Sequence, residues 1–150
     1  MIGSEQTRLI RARCVWIAAF MATASSARVV DAQSADSKTT RSTSTGVYTA
    51  EQAVRGRDTY AMQCKSCHTP ASHTGVTFAQ WWDRKPLSEL YQFVTTRMPK
   101  NEPGSLAPEE YIEVVAYLLK LNEMPSGREE LPADSVALKK IRIETGKKDP

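Results

Sequence analysis

The sequence predicts an all-α domain, and three observations carry that prediction. Three stretches between Thr49 and Asn122 place apolar side chains at helical spacing, each opened by a capping or proline signal. No stretch alternates apolar and polar residues as a half-buried strand would. The third observation is the run "CKSCH", Cys64 to His68, standing directly after the first of the three stretches.

The first predicted helix is "TAEQAVRGRDTYAMQ", residues 49–63. Thr49 and Gln52 stand in capping-box spacing, where hydroxyl and amide each satisfy a free backbone donor. Ala53, Val54, Tyr60, Ala61 and Cys64 define its expected apolar face. The second helix is "PLSELYQFVTTR", residues 86–97, with Pro86 suited to the first helical position. Leu87, Leu90, Tyr91 and Val94 form an i, i+3, i+4, i+7 stripe, and Pro99 ends it. The third helix is "PEEYIEVVAYLLKLN", residues 108–122. Pro108 opens it, and Glu109 and Glu110 favour the positive end of its dipole. Ile112, Val115, Ala116 and Leu119 make the stripe, widened by Val114, Leu118 and Leu121.

Around this core the chain divides by composition. Residues 1–32 have the layout of a cleaved signal peptide: Arg8, Arg11 and Arg13 precede the apolar run from Cys14 to Ala24, and small residues follow up to Ala32. The residues before Cys14 are "RAR", unlike the small apolar run of a lipoprotein signal, so Cys14 is not read as an acylation site. Residues 33–46 are Ser/Thr-rich and predict a flexible linker. The domain is placed at residues 47–125, and residues 126–150 are read as a polar tail whose "VALKKIRI" has the means to lie against the domain.

The chain holds 20 basic and 17 acidic residues, a net charge of +3. Without residues 1–32, which carry four arginines and two acids, it falls to +1. No basic stripe with interleaved aromatics is present, which argues against a nucleic-acid partner.

Three chemistries use a Cys-x-x-Cys-His run. A thiol–disulfide enzyme places the pair at the start of a helix after a strand, where the dipole lowers the thiol pKa; here the pair follows a helix. Structural zinc needs four ligands, usually two separated pairs, and His73 has no partner pattern further along. Covalent haem attachment uses the run itself: two thiols join the two vinyl groups and the histidine lies under the iron. The export signal favours this third reading, because the attachment is made outside the bacterial cytoplasm. So does a methionine followed later by a helix. Of the methionines after the signal, Met62 sits on the proximal helix, Met124 follows the last helix, and Met98 ends an amphipathic helix at Pro99. That placement favours Met98 for the distal face.

With these residues in place, the chain from about Gly46 to Gly127 resembles the small single-haem class I cytochromes c. Gly56 and Tyr60 match the family's small-plus-aromatic pair, and Val114 and Tyr117 its aliphatic–aromatic pair, on helices that cross tightly. "RMP" looks like the distal-ligand segment. "PEEYIEVVAYLLKLNEMPSG" is similar to the closing helix of bacterial cytochromes that serve periplasmic dehydrogenases as haem domains or electron acceptors. The sequence departs from the family in lacking the Gly-Pro loop that gives a carbonyl to the proximal histidine; Pro70 lies too close to His68 for that role.

The resemblance implies a small cytochrome c domain, three main helices around one covalent haem c. It implies thioether links at Cys64 and Cys67 and axial ligation by His68 and Met98. The expected role is a periplasmic single-electron carrier rather than an enzyme. Its partners would be redox proteins on the dehydrogenase or terminal-oxidase side, with no stable membrane insertion after signal cleavage. Two alternatives stand beside it: a dedicated haem subunit of a periplasmic dehydrogenase, a quinoprotein for example, and a haem enzyme or gas sensor with a labile distal ligand. Trp81 and Trp82 are candidates for the haem edge as much as for the core. Arg84, Lys85 and Arg97 are read as solvated surface before propionate partners, His73 as a surface loop residue, and Tyr91 and Phe93 as packing.

Overall fold

The structure is a computed structural model and describes residues 41–146. The expected signal peptide, with Cys14, and residues 33–40 of the expected linker lie outside the described residues, as do the last four. Five helices order the chain: α1 (Ala50–Gln63), α2 (Gly75–Trp82), α3 (Leu87–Arg97), α4 (Pro108–Leu121) and α5 (Ser135–Lys139). Two-residue strands β1 (Arg41–Ser42) and β2 (Ile141–Arg142) pair in parallel, Arg41 opposite Ile141. The domain is all-α, as expected, with three main helices and two short additions. None of the described helices is long and apolar enough to cross a membrane.

Among the described residues α1 and α4 form the most extensive contact between helices, and Gly56 lets their backbones approach closely. A Cβ on Gly56 would stand 1.8 Å from the carbonyl oxygen of Glu113. The buried face of α1 is Gln52, Ala53, Gly56, Thr59 and Tyr60, which keeps the expected Ala53 and Tyr60 but leaves out Val54 and Ala61. Val54 is 39% exposed and Ala61 is also exposed. The backbone approach at a glycine, invisible to an apolar count, rotates the helix by about one position. The stripes on α3 and α4 are as expected: Leu87, Leu90, Tyr91 and Val94 are buried, and so are Ile112, Val115, Ala116 and Leu119.

Only half of the expected capping box forms. Thr49 Oγ1 accepts from the Gln52 backbone N–H at 3.1 Å. The Gln52 side chain turns inward instead. Its Nε2 donates to the Leu131 carbonyl and its Oε1 accepts from the Leu131 N–H, both at 2.9 Å and buried. Gln52→Ala is expected to leave both Leu131 groups unpaired and to cost about 3 kcal/mol in urea denaturation, at about 1–3 kcal/mol per buried unsatisfied group.

The domain is longer at both ends than composition suggests. In the expected linker, Thr43 is fully buried, its Oγ1 accepting from the Glu144 N–H at 2.9 Å. Ser42 and Ser44 donate to the Glu144 carboxylate, which holds that acid below the usual carboxylate range. The left-handed turn at Gly46 (φ 77°) lets its backbone meet Gly127. In the expected polar tail, Leu131, Leu138, Ile141 and Ile143 are buried and α5 packs on α3. Residues 41–46 and 126–146 thus contribute to the packed domain. Hydroxyl groups that look solvated in sequence find partners about a hundred residues away, and four spaced apolar residues anchor an otherwise polar tail.

That C-terminal segment also fixes a loop beside the site. The Arg84 N–H donates to the Ile143 carbonyl at 2.8 Å, the Ile143 N–H to the Lys85 carbonyl at 2.9 Å, and Thr145 N–H and Oγ1 to Asp83 Oδ1.

Candidate functional site

Cys64 caps the C-terminal end of α1, its N–H donating to the Tyr60 carbonyl at 2.9 Å. The turn continues through Cys67 and His68, whose N–H groups both donate to the Cys64 carbonyl. The two thiols are free, Cys64 half-buried and Cys67 exposed. Burial first, and then Cys67, push the Cys64 thiol up. A thiol at a helix C-terminus with a raised pKa is a poor thiolate nucleophile, which counts against disulfide exchange. Among the described residues no three His, Cys, Asp or Glu side chains converge as a metal-ion site, so the zinc reading has no ligand set here.

The loop after His68 leads through a 3₁₀ turn (Pro70–His73) into α2. It is tied to α4 by Asn122. The Asn122 Nδ2 donates to the His73 carbonyl at 2.8 Å and to the Leu118 carbonyl at 2.9 Å, and its Oδ1 accepts from the Gly75 N–H at 3.1 Å. On the other side, α3 ends at Arg97 and Met98 caps it. The Met98 carbonyl accepts from the Tyr111 hydroxyl at 2.8 Å, which anchors the start of the following loop to α4.

Between these elements lies a cavity of about 620 Å³, lined by His68, His73, Phe78, Trp81, Trp82, Phe93 and Met98, with Lys85, Glu89 and Arg97 among its polar lining. A recess of about 80 Å³ shares six of those apolar and histidine residues and adds Tyr60, Cys64, Leu90, Val94, Val114 and Leu118. His68 and Met98 thus line one space. Cys67 lines neither part. Met124 is in the core at 5% exposure, its carbonyl accepting from the Tyr48 hydroxyl, and Met62 is 70% exposed.

Several residues stand differently from their sequence reading. His73 is half-buried, not a surface loop residue: its ring lies 4.8 Å from that of His68 and 5.9 Å from that of Tyr60, centroid to centroid. Burial, then His68, push it below the usual imidazole range. Phe93 lines the cavity and contacts Trp82 edge-on at 5.5 Å rather than packing in the core. Trp81 is 65% exposed at the cavity wall and Trp82 is half-buried there. Lys85 and Arg97 line the cavity, with Lys85 over the Trp82 ring and 3.7 Å from Glu89. Arg84 points away beside Asp83, and Tyr91 packs in the core. Helix α2 was not expected: it is only eight residues long, and although Phe78, Trp81 and Trp82 share its cavity face, only Phe78 is buried.

The arrangement fits a covalently held porphyrin. Aromatic side chains on the cavity wall and aliphatic ones in the recess supply the apolar surface a flat macrocycle needs, beside a polar rim. An imidazole and a thioether, the donors that suit haem iron, line the same space, and Cys64 reaches the recess. Lys85 and Arg97 on the lining are the basic side chains that would meet the carboxylates of such a group. The Tyr60 hydroxyl, 3% exposed and pushed up to about 12 first by burial, finds no partner among the described residues.

Fold and cavity together define a class: a small helical domain with a largely apolar cavity in which an imidazole and a thioether share one space. Residues 51–118 match the family described as cytochrome c oxidase, cbb3-type, subunit III, and they form a cytochrome c domain. The match runs from the first turn of α1 almost to the end of α4 and includes "CKSCH" and Met98. No curated protein and no solved structure matches the chain.

Proposed function

We propose that the protein is an exported single-electron carrier holding one haem c, joined through Cys64 and Cys67 and ligated by His68 and Met98. The observation that carries this reading is that His68 and Met98 line one cavity, from which Met62 and Met124 are absent. When bound, the haem supplies a one-electron ferrous–ferric couple. The chain's part is to keep that couple closed. His68 and Met98 would hold the iron from the protein side, and with both as ligands it would offer no open site to dioxygen or a substrate. The aromatic walls disfavour the extra charge of the oxidised centre, and the Met98 thioether favours the reduced one, so both raise the potential.

The charged start and short apolar run of residues 1–32 support export to the periplasm. The partners are redox proteins, on the dehydrogenase side or, as the name of the matched family suggests, the oxidase side. Docking is weak and brief, over a small patch at the cofactor's exposed edge, and the nearly neutral mature charge gives little steering. Carbon monoxide tests the closed site. The spectrum of the ferrous protein should not change under the gas; an immediate adduct would make the protein a haem enzyme or gas sensor instead.

A further inference from the structure

A histidine that ligates a metal almost always donates its second ring N–H to an acceptor, which fixes the ring and strengthens its donation. In this chain a second imidazole stands beside His68. The His68 and His73 centroids are 4.8 Å apart with planes tilted by 55°. That is close to the separation of two imidazoles joined edge to edge by one N–H···N bond, although the rings share no such bond as they stand. Tyr60 also meets His73, ring centroids 5.9 Å apart and planes at 89°, with its buried hydroxyl unpartnered. Asn122 holds the His73 backbone in place through the carbonyl. Three elements that are distant in sequence thus bring one acceptor to the ligand and one orphaned hydroxyl to that acceptor.

We propose that His73 is a positioning residue for the proximal ligand: its ring accepts the hydrogen bond from His68 Nδ1–H, and its own N–H is received by the Tyr60 oxygen. The proposal rests on the reading that His68 ligates haem. It gives His73 a task that a surface residue would not have, and it gives the Tyr60 hydroxyl a partner inside the protein rather than on the cofactor.

The sign of the reduction potential separates this role from a merely structural one. A hydrogen bond accepted from His68 makes that ligand more electron-rich and favours the ferric state, so losing it raises the potential. Loosening the loop instead admits water, favours the charged ferric state and lowers the potential. The experiment uses the haem-loaded full chain with His73→Ala, His73→Gln and Tyr60→Phe. The expected results are an upward shift in His73→Ala, a return towards the parent value in His73→Gln, whose amide oxygen accepts, and a smaller upward shift in Tyr60→Phe. Tyr60→Phe keeps the ring and its packing, so it reports even where His73→Ala fails to load. An unchanged or lowered potential in His73→Ala, or equal shifts in the Ala and Gln variants, overturns the proposal. So does an unshifted Tyr60→Phe if neither His73 variant loads. A parent protein without covalent haem fails the underlying reading instead, and haem stain on the parent polypeptide distinguishes the two failures.

Discussion

Met98→Ala is expected to open the distal face of the haem. Met98 caps α3, where Pro99 ends the helix, and lines the cavity with His68. Its carbonyl is anchored by Tyr111, so truncating the side chain removes the thioether while the backbone anchor remains. Three changes should appear together. The weak far-red sulfur-to-iron band of the ferric protein should vanish. The ferrous protein should now bind carbon monoxide. The potential should fall by on the order of 100 mV, a modest part of the roughly 0.8 V range that axial ligands set. Met124→Ala is the control: Met124 is buried outside the cavity, so the band should survive. If the band survives Met98→Ala and disappears in Met124→Ala, the distal assignment is wrong.

The largest effect on stability is expected at Gly56. In an isolated helix, alanine at that position would be favourable by about 1 kcal/mol. Here its Cβ would stand 1.8 Å from Glu113 O and 2.3 Å from Glu113 C, both backbone atoms that cannot rotate away. The α1–α4 crossing must widen, and with it the packing of Tyr60 on Tyr117, whose rings lie 5.4 Å apart. Overpacking of this kind costs about 3 kcal/mol or more, a large share of the roughly 5–15 kcal/mol that holds a small domain together. Denaturant unfolding of Gly56→Ala should therefore show a net loss above about 2 kcal/mol, or no folded protein. A variant as stable as the parent would mean that the two helices do not cross at this glycine.

How much of this was legible in the sequence depends on where each residue's partners come from. Leu87, Leu90, Tyr91 and Val94 were legible because a helix repeats its buried face every three to four residues. The end of α3 was legible because proline cannot continue a helix. The buried face of α1 was legible in part: Ala53 and Tyr60 stood in the apolar pattern and the family resemblance marked Gly56, whereas Gln52 and Thr59 are polar and no hydrophobicity pattern weights them. Thr43 was not, because its backbone partner Glu144 lies 101 residues away. His73 was missed for the same reason: Tyr60 comes from α1 and Asn122 from the end of α4, and nothing local to "PASHTG" signals either. The run "CKSCH" was the most informative stretch, since its chemistry is carried by spacing alone.

The central claim is that the cavity holds one haem joined to the chain through Cys64 and Cys67. Intact mass of the denatured exported protein tests it most directly. The account predicts the mass of the chain without its signal peptide plus one haem, with colour that stays on the polypeptide in acidic organic solvent, and little loaded protein from Cys64→Ala or Cys67→Ala. The mass of the bare chain, with any colour extracted into the solvent, would contradict it.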